Sequence, residues 1–321
     1  IKVYQTDVAG RMVREAPVRA VNREVTLNLT DSYRCCREIA RERAKNFYYA
    51  FMVLPREKRD AMCAVYAFMR YCDDIADDPS IEQDKRQMLN KWRASLDDIT
   101  RGVCTTDGIM PAFYDTVRKF EIPLDYFYQL IDGATLDLEV DRYESFDQLY
   151  DYCYKVASVV GLVCIHIFGF DSPAARKHAE YCGVAFQLTN ILRDLGEDAS
   201  MGRVYIPEED LWAFGYSRDD LKQRVMDERF IRLMRFEVDR ARCYYDAALP
   251  LIPLVHESGR AGLKAMVGIY SSILDKIEQN GYDVFSQRIS LSTTEKLAIA
   301  ARSLLSSKLS GGRQYQPELQ S

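Results

Sequence analysis

Helical spacing of apolar residues runs almost unbroken from Asp31 to the C-terminal tail, and no alternating stretch of strand length interrupts it. That pattern restricts the chain to an all-α fold. Prolines and glycines fall between the periodic segments, where breakers belong. One helix is expected from Thr30 or Asp31 to Pro55, and a second from about Arg56 to Asp78, stopped by Pro79. Others follow, including SFDQLYDYCYKVASVVGLVCIHIFGF, PAARKHAEYCGVAFQLTNILRDLGEDASMG, one long segment from Ser217 to Pro253, and GRAGLKAMVGIYSSILDKIEQN. Residues 1–28 read as a loosely ordered arm, 29–307 as one domain of eight or more helices, and 308–321 as a polar tail. With 321 residues, 48% of them hydrophobic, the chain can bury the core that such a domain needs.

A formal net charge of −5 lacks the basic balance of a nucleic-acid binder. Nine scattered cysteines without a C-x-x-C suit buried free thiols in a reducing cytoplasm better than disulfides or zinc. The most apolar run, Val156–Phe170, spans 15 residues. A bilayer crossing takes roughly 20, so it reads as a buried helix. The expectation is a cytoplasmic protein that a lipid-like substrate can still bring to a membrane surface.

Acids gather where a helix should avoid them. YCDDIADDPS places Asp73, Asp74, Asp77 and Asp78 at the C-terminal end of the apolar helix AMCAVYAFM, opposing its dipole. Asp73 and Asp77 share a face, roughly 6 Å apart along the axis. A lone pair of this kind reads as a solvated helix end. NILRDLGED repeats the device with Asn190, Asp194, Glu197 and Asp198. Two such clusters suit Mg²⁺, which takes one or two carboxylates together with waters and phosphate oxygens. A third acidic stretch, DGATLDLEVD with Asp132, Asp137, Glu139 and Asp141, divides evenly between a solvated loop and a supporting role. Arg43, Lys45, Arg70, Arg193 and Arg203 punctuate the same regions, and diphosphate recognition wants such donors. For Tyr66, Tyr152, Tyr154, Tyr205 and Tyr270, spacing does not separate core packing from cation stabilisation. No dinucleotide fingerprint, P-loop, zincin motif or nucleophile elbow is present, and His166 reads as a core residue.

Three stretches carry a family likeness: NFYYAFMVLPREKRDAMCAVYAFMRYCDDIADD, FDQLYDYCYKVASVVGLV and FQLTNILRDLGEDASMGRVYIPEEDL. With them the chain resembles the squalene/phytoene synthase family from about Asp31 to Ser290. The resemblance implies an all-α isoprenoid-synthase fold, a single helical domain around a central cavity. It implies two D-x-x-x-D motifs, Asp73/Asp77 and Asp194/Asp198, holding two or three Mg²⁺ ions with Asn190 and with Gln187 nearby. It further implies that Tyr66, Arg70, Tyr152, Arg193, Arg203, Tyr205 and Tyr270 line the diphosphate and prenyl sites. Ala157 and Gly161 would leave room for a polyprenyl tail. Lys45 and Phe47 match the His-Ser-Lys-Ser-Phe signature of some relatives, whereas Arg43, Ala44 and Asn46 depart from it. Arg288 in YDVFSQRIS is the candidate for the family's late arginine.

The activity so implied is head-to-head condensation of two prenyl diphosphates. Likeness to bacterial squalene-type members points to farnesyl diphosphate, through a cyclopropylcarbinyl (presqualene-type) diphosphate to a squalene-type product. Phytoene synthesis from geranylgeranyl diphosphate is the close alternative. A non-catalytic helical protein that binds prenyl diphosphate is the other class, and the two intact acidic pairs speak against it. NADPH use stays open, because members that use it need no dinucleotide fingerprint.

Overall fold

The protein is described by a computed structural model covering residues 29–77, 84–102 and 108–310, without the side chains of Asp77 and 308–310. The expected N-terminal arm, Asp78 and the tail beyond Ser310 therefore lie outside the described residues. Among those residues the chain is helical, with only two isolated β-bridges, Arg142 to Val204 and Phe170 to Val255.

The first expected helix is two. α1 (Leu29–Arg43) and α2 (Phe47–Met52) part at Ala44–Asn46, although Tyr48 N still reaches Ala44 O at 2.8 Å. Asn46 at the bend hydrogen-bonds through its side chain to Tyr270, a tertiary bond invisible to local spacing. α3 (Arg56–Asp77) starts behind Pro55 and buries Ala61, Met62, Val65, Phe68, Met69, Cys72 and Ile75, a stripe at three- and four-residue steps. α4 (Lys85–Thr100), α5 (Met110–Lys119) and α6 (Asp125–Leu136) pack on it. Their meeting point is Phe68, stacked on Phe113 at 4.2 Å and edge-on to Phe127 at 5.4 Å.

α7 (Phe146–Cys153) begins at the N-cap Ser145 and continues through a π-turn (Tyr154–Ser158) into α8 (Val159–Phe168). This continuous helix of 23 residues, with an 18-residue window of mean hydropathy 1.4, is long and apolar enough to cross a bilayer. Half of that window is buried within the protein, as a core helix requires. α9 (Ala174–Ser200) lies against the π-turn and α8 at backbone distance. A Cβ on Gly183 would stand 2.4 Å from Ser158 Cα, and one on Gly161 would stand 2.6 Å from Ala179 O.

After α10 (Glu208–Ala213), the segment expected as one helix from Ser217 divides into α11 (Arg218–Lys222) and α12 (Glu228–Ala248). The break has two visible causes. Arg224 adopts a left-handed φ of 56°, and Asp227 caps α12 by accepting from Arg229 N and Phe230 N. α13 (Leu251–Leu254), α14 (Glu257–Gln279) and α15 (Thr293–Ser310) complete the bundle. Apolar side chains form two cores, one around α1, α3, α5, α6 and α8, the other around α12, α14 and the C-terminal half of α9. α9 and α14 belong to both: Ala175, Ala179 and Cys182 of α9 and Leu263, Ala265 and Met266 of α14 join the first, Val184 to Ala199 and Ile269 to Ile277 the second. All the described cysteines are free.

One charge sits deep in the second core. Glu237 on α12 is 1% exposed, and Arg240 donates to both its oxygens at 2.9 and 2.8 Å. Burial raises its carboxyl well above the ordinary carboxylate range; Arg240 pulls it down, and Asp210 opposite raises it again.

Two outcomes follow. Gly183→Ala forces α9 off the π-turn, because backbone rather than a flexible side chain stands in the way, and should cost about 1–3 kcal/mol in urea unfolding. A proton held more tightly by the folded than by the unfolded chain stabilises the fold below the ordinary glutamate pKa, and that contribution is lost as pH rises through the folded value. Unfolding series from about pH 5 to about pH 9 should therefore show Glu237→Gln losing stability less steeply with pH than the parent, by up to about 1.4 kcal/mol per pH unit.

Candidate active site

A cavity of about 530 Å³ runs between the two cores along α9. Its α9 wall extends from Ala179 to Asp198, about 28 Å of helix. The deep part is apolar, bounded by Met62, Val65, Ile165, Phe168, Leu251 and Leu263. The other end is charged, with Asp73 from α3, Asp137 beyond α6, Asp194, Glu197 and Asp198 from α9, and Arg203 and Arg288 from loops. α3 and α9 each deliver acids at their own C-terminal ends, so both helices end at one mouth.

Ion pairs crowd this mouth. Arg193 donates Nε to Asp194 Oδ1 at 2.9 Å and Nη2 to Asp194 Oδ2 at 2.5 Å. Arg288 bridges Asp194 Oδ1 at 3.0 Å and Glu197 Oε2 at 3.2 Å. Asp198 is pushed up to about 7, first by burial and then by the charge of Asp194, while Arg203 opposes the rise. Across the mouth, Tyr205 donates its phenol to Asp137 Oδ1 at 3.0 Å. Its ring stacks on Tyr152 at 5.2 Å, and Tyr143 lies 5.4 Å from Tyr152 and 6.0 Å from Tyr205. Burial raises all three phenols, which stay neutral.

Of the residues singled out from the sequence, Phe47, Tyr66, Asp73, Tyr152, Ala157, Gly161, Gln187, Asn190, Asp194, Asp198, Arg203, Tyr205 and Arg288 meet in this cavity wall. Four do not. Tyr270 lies one layer behind, stacked on Phe47 at 5.1 Å and on Phe186 at 4.4 Å, and Arg193 stands behind Asp194. Arg70 is engaged with Asp74, which also takes Arg43 at 2.9 Å. Lys45 is exposed on the turn before α2, its carbonyl accepting from Lys296 Nζ at 3.3 Å. The side chain of Asp77 lies outside the described residues. Gly161 carries a demand besides room for a tail, since α8 needs it to approach α9. Phe51 and Phe186 join the cavity wall unannounced by spacing, and Tyr143 packs behind it on Tyr152 and Tyr205. Of the four undecided acids of DGATLDLEVD, Asp137 lines the cavity, and its bond to Tyr205 gives it a supporting part.

Mg²⁺ has to fit this donor set without a preformed cage. Among the described residues no three His, Cys, Asp or Glu side chains converge closely enough to hold one ion. Two observations nonetheless fit a hard cation at the mouth. Asn190 Oδ1 is buried without a hydrogen-bond partner, and Asp198 titrates high partly because other carboxylates crowd it. A cation satisfies the first and cancels the second. Mg²⁺ commonly completes its octahedron with waters and substrate phosphates, so an incomplete protein set is the usual case.

An all-helical bundle around an apolar cavity with a carboxylate mouth defines the isoprenoid-synthase fold. Residues 40–295 match the family described as squalene/phytoene synthase. A 15-cis-phytoene synthase of Synechococcus elongatus is 36% identical over 299 residues, covering 89% of this chain and 95% of that protein. A phytoene synthase of Mycobacterium tuberculosis is 38% identical over 286 residues, covering 88% and 94%. Among solved structures, a dehydrosqualene synthase in complex with a ligand superposes with a TM-score of 0.81 at 29% identity, covering 88% of this chain and 98% of that one. A squalene synthase from Alicyclobacillus acidocaldarius gives 0.73 at 28% identity, covering 80% and 97%. The chain belongs to the squalene/phytoene synthase family, enzymes that transfer prenyl groups head to head.

Tyr205→Phe keeps the aromatic stack and removes the bond to Asp137. A hydrogen bond to a charged group contributes about 1.5–3 kcal/mol to the fold, so the thermal midpoint should fall by a few degrees, and prenyl turnover should fall about tenfold as the phenol and Asp137 lose their fixed places. Steady-state kinetics beside a melting curve checks this.

Proposed function

We propose that the protein condenses two geranylgeranyl diphosphates head to head, with Mg²⁺, to give phytoene. The observation that carries the chemistry is the charged mouth opening onto an apolar cavity. The chain length is supported by relatives of 36–38% identity that are phytoene synthases, against 29% for the dehydrosqualene synthase structure. Farnesyl diphosphate remains the second reading, favoured by the superposition on that dehydrosqualene synthase.

In this reading Asp73, Asp194, Asp198 and Asn190 would hold the ions, with Asp77 joining them by its i+4 place on α3. Bound Mg²⁺ would offset the charge that builds on the leaving diphosphate as the allylic C–O bond breaks. Arg288 and Arg203 stand at the mouth to donate to diphosphate oxygens. The stacked faces of Tyr152 and Tyr205 offer π density to the allylic cation. The alkene of the second substrate attacks that cation, loses a proton and closes a cyclopropylcarbinyl diphosphate. A second ionisation, rearrangement and proton loss then give phytoene, which needs no reductant. Met62, Val65, Ile165 and Phe168 keep water from the cations.

The purified protein with Mg²⁺ and either the C15 or the C20 diphosphate, with and without NADPH, tests this by mass spectrometry of products. Phytoene from the C20 substrate, indifferent to NADPH, is expected. A C30 product formed in preference supports the farnesyl reading, and no diphosphate release from either substrate rejects the enzyme. Asp73→Ala and Asp194→Ala should each lower turnover about a hundredfold or more; unchanged rates in both would remove the carboxylates from the mechanism.

A further inference from the structure

Away from the cavity, one guanidinium joins the two chain segments that carry the tyrosine stack. Arg240 on α12 donates Nη1 to Asp210 Oδ2 at 2.7 Å and Nη2 to Asp210 Oδ1 at 3.1 Å, a two-pronged grip on α10. Nη1 also donates to Glu237, one turn back on α12. The flat group lies between two rings, 4.2 Å from the centroid of Phe146 and 4.6 Å from that of Phe236. Arg240 thus touches α10, its own helix and the first residue of α7.

Those contacts are the far anchors of the mouth. Tyr205 lies five residues before Asp210, and Tyr152 six residues after Phe146. Beside these anchors, the stretch that leads into α7 is riveted by its backbone to the stretch that leads into α10. Val204 N donates to Asp141 O at 3.1 Å, Glu208 N to Tyr143 O at 2.9 Å, and Glu209 N to Glu144 O at 3.2 Å. Phe146 N closes the set on Glu209 Oε1 at 2.7 Å. If the grip on Asp210 slackens, Tyr205 and Arg203 lose their fixed distance from Tyr152.

We propose that Arg240, acting through Asp210 and Phe146, is a positioning residue that sets the separation of Tyr152 and Tyr205 at the mouth. It is not part of the cavity wall. The inference rests on the function proposed above, since those tyrosines affect a rate only if the mouth takes a prenyl diphosphate. Lysine at this place keeps the charge but loses both the fork and the flat surface between the rings.

The test is Arg240→Lys in the full chain, read by amide hydrogen exchange and by kinetics with the C20 diphosphate. Arg242→Lys, on α12 like Arg240 and in an exposed pair with Glu278 of α14, is the control. Arg240→Lys should speed exchange at the amides of Val204, Glu208 and Glu209 about tenfold or more, leave α14 protected, and lower kcat about ten- to a hundredfold with KM within about threefold. Arg242→Lys should change neither. Where Arg240→Lys does not fold, the triple variant Asp210→Asn, Glu237→Gln, Arg240→Met, which buries no charge, takes the same readouts. Parental exchange at 204–209 overturns the clamp, and faster exchange with parental kcat overturns the positioning role. If the parent releases no diphosphate, the proposed function fails, while the exchange measurement still decides the clamp.

Discussion

Backbone meets backbone where the π-turn and α8 cross α9, and the site depends on that crossing. Gly183 and Gly161 admit the approach, since a Cβ on either would fall within 2.6 Å of main-chain atoms of the other helix. The crossing itself forms one wall, since Ala157, Gly161, Ala179 and Gly183 line the cavity, and α3, α6 and α14 close the rest. The hollow is a product of how the helices must cross.

Electrostatics then divides the hollow into two ends. Acids at the C-termini of α3 and α9 face the unfavourable poles of their own helices, and neighbouring acids add to the strain. Arginine offsets part of it at Asp74, Asp194 and Glu197. The rest persists at Asp198, whose carboxyl is pushed up to about 7, and at Asn190, whose oxygen has no donor. Positive charge added at this mouth would relieve both, which is the part the proposed function gives to Mg²⁺.

Much of this was legible in the sequence, for physical reasons. Apolar spacing in α3 and α9 is local, so both helices and the acids at their ends could be read directly. The family likeness placed residues such as Arg288 that spacing alone does not mark. What escaped depends on tertiary contact. The break before α2 follows a bond from Asn46 to Tyr270, and that before α12 an aspartate cap with a left-handed arginine. Tyr143 packs on Tyr152 and Tyr205, and Glu208 N holds its carbonyl from a segment 65 residues further on. No window along the chain contains such a pair. Asp137 was undecidable for the same reason, its partner being Tyr205.

The double membership of α9 bears on redesign. Side chains on this helix line the cavity and also fill one core or the other, so a change meant to reshape the cavity from there disturbs packing on both sides. α3 packs in the first core alone and offers Met69, an unbranched side chain that reaches the cavity from outside the glycine crossing. Engineering of the cavity's length therefore belongs on the wall opposite α9, with that helix kept as the fixed reference edge.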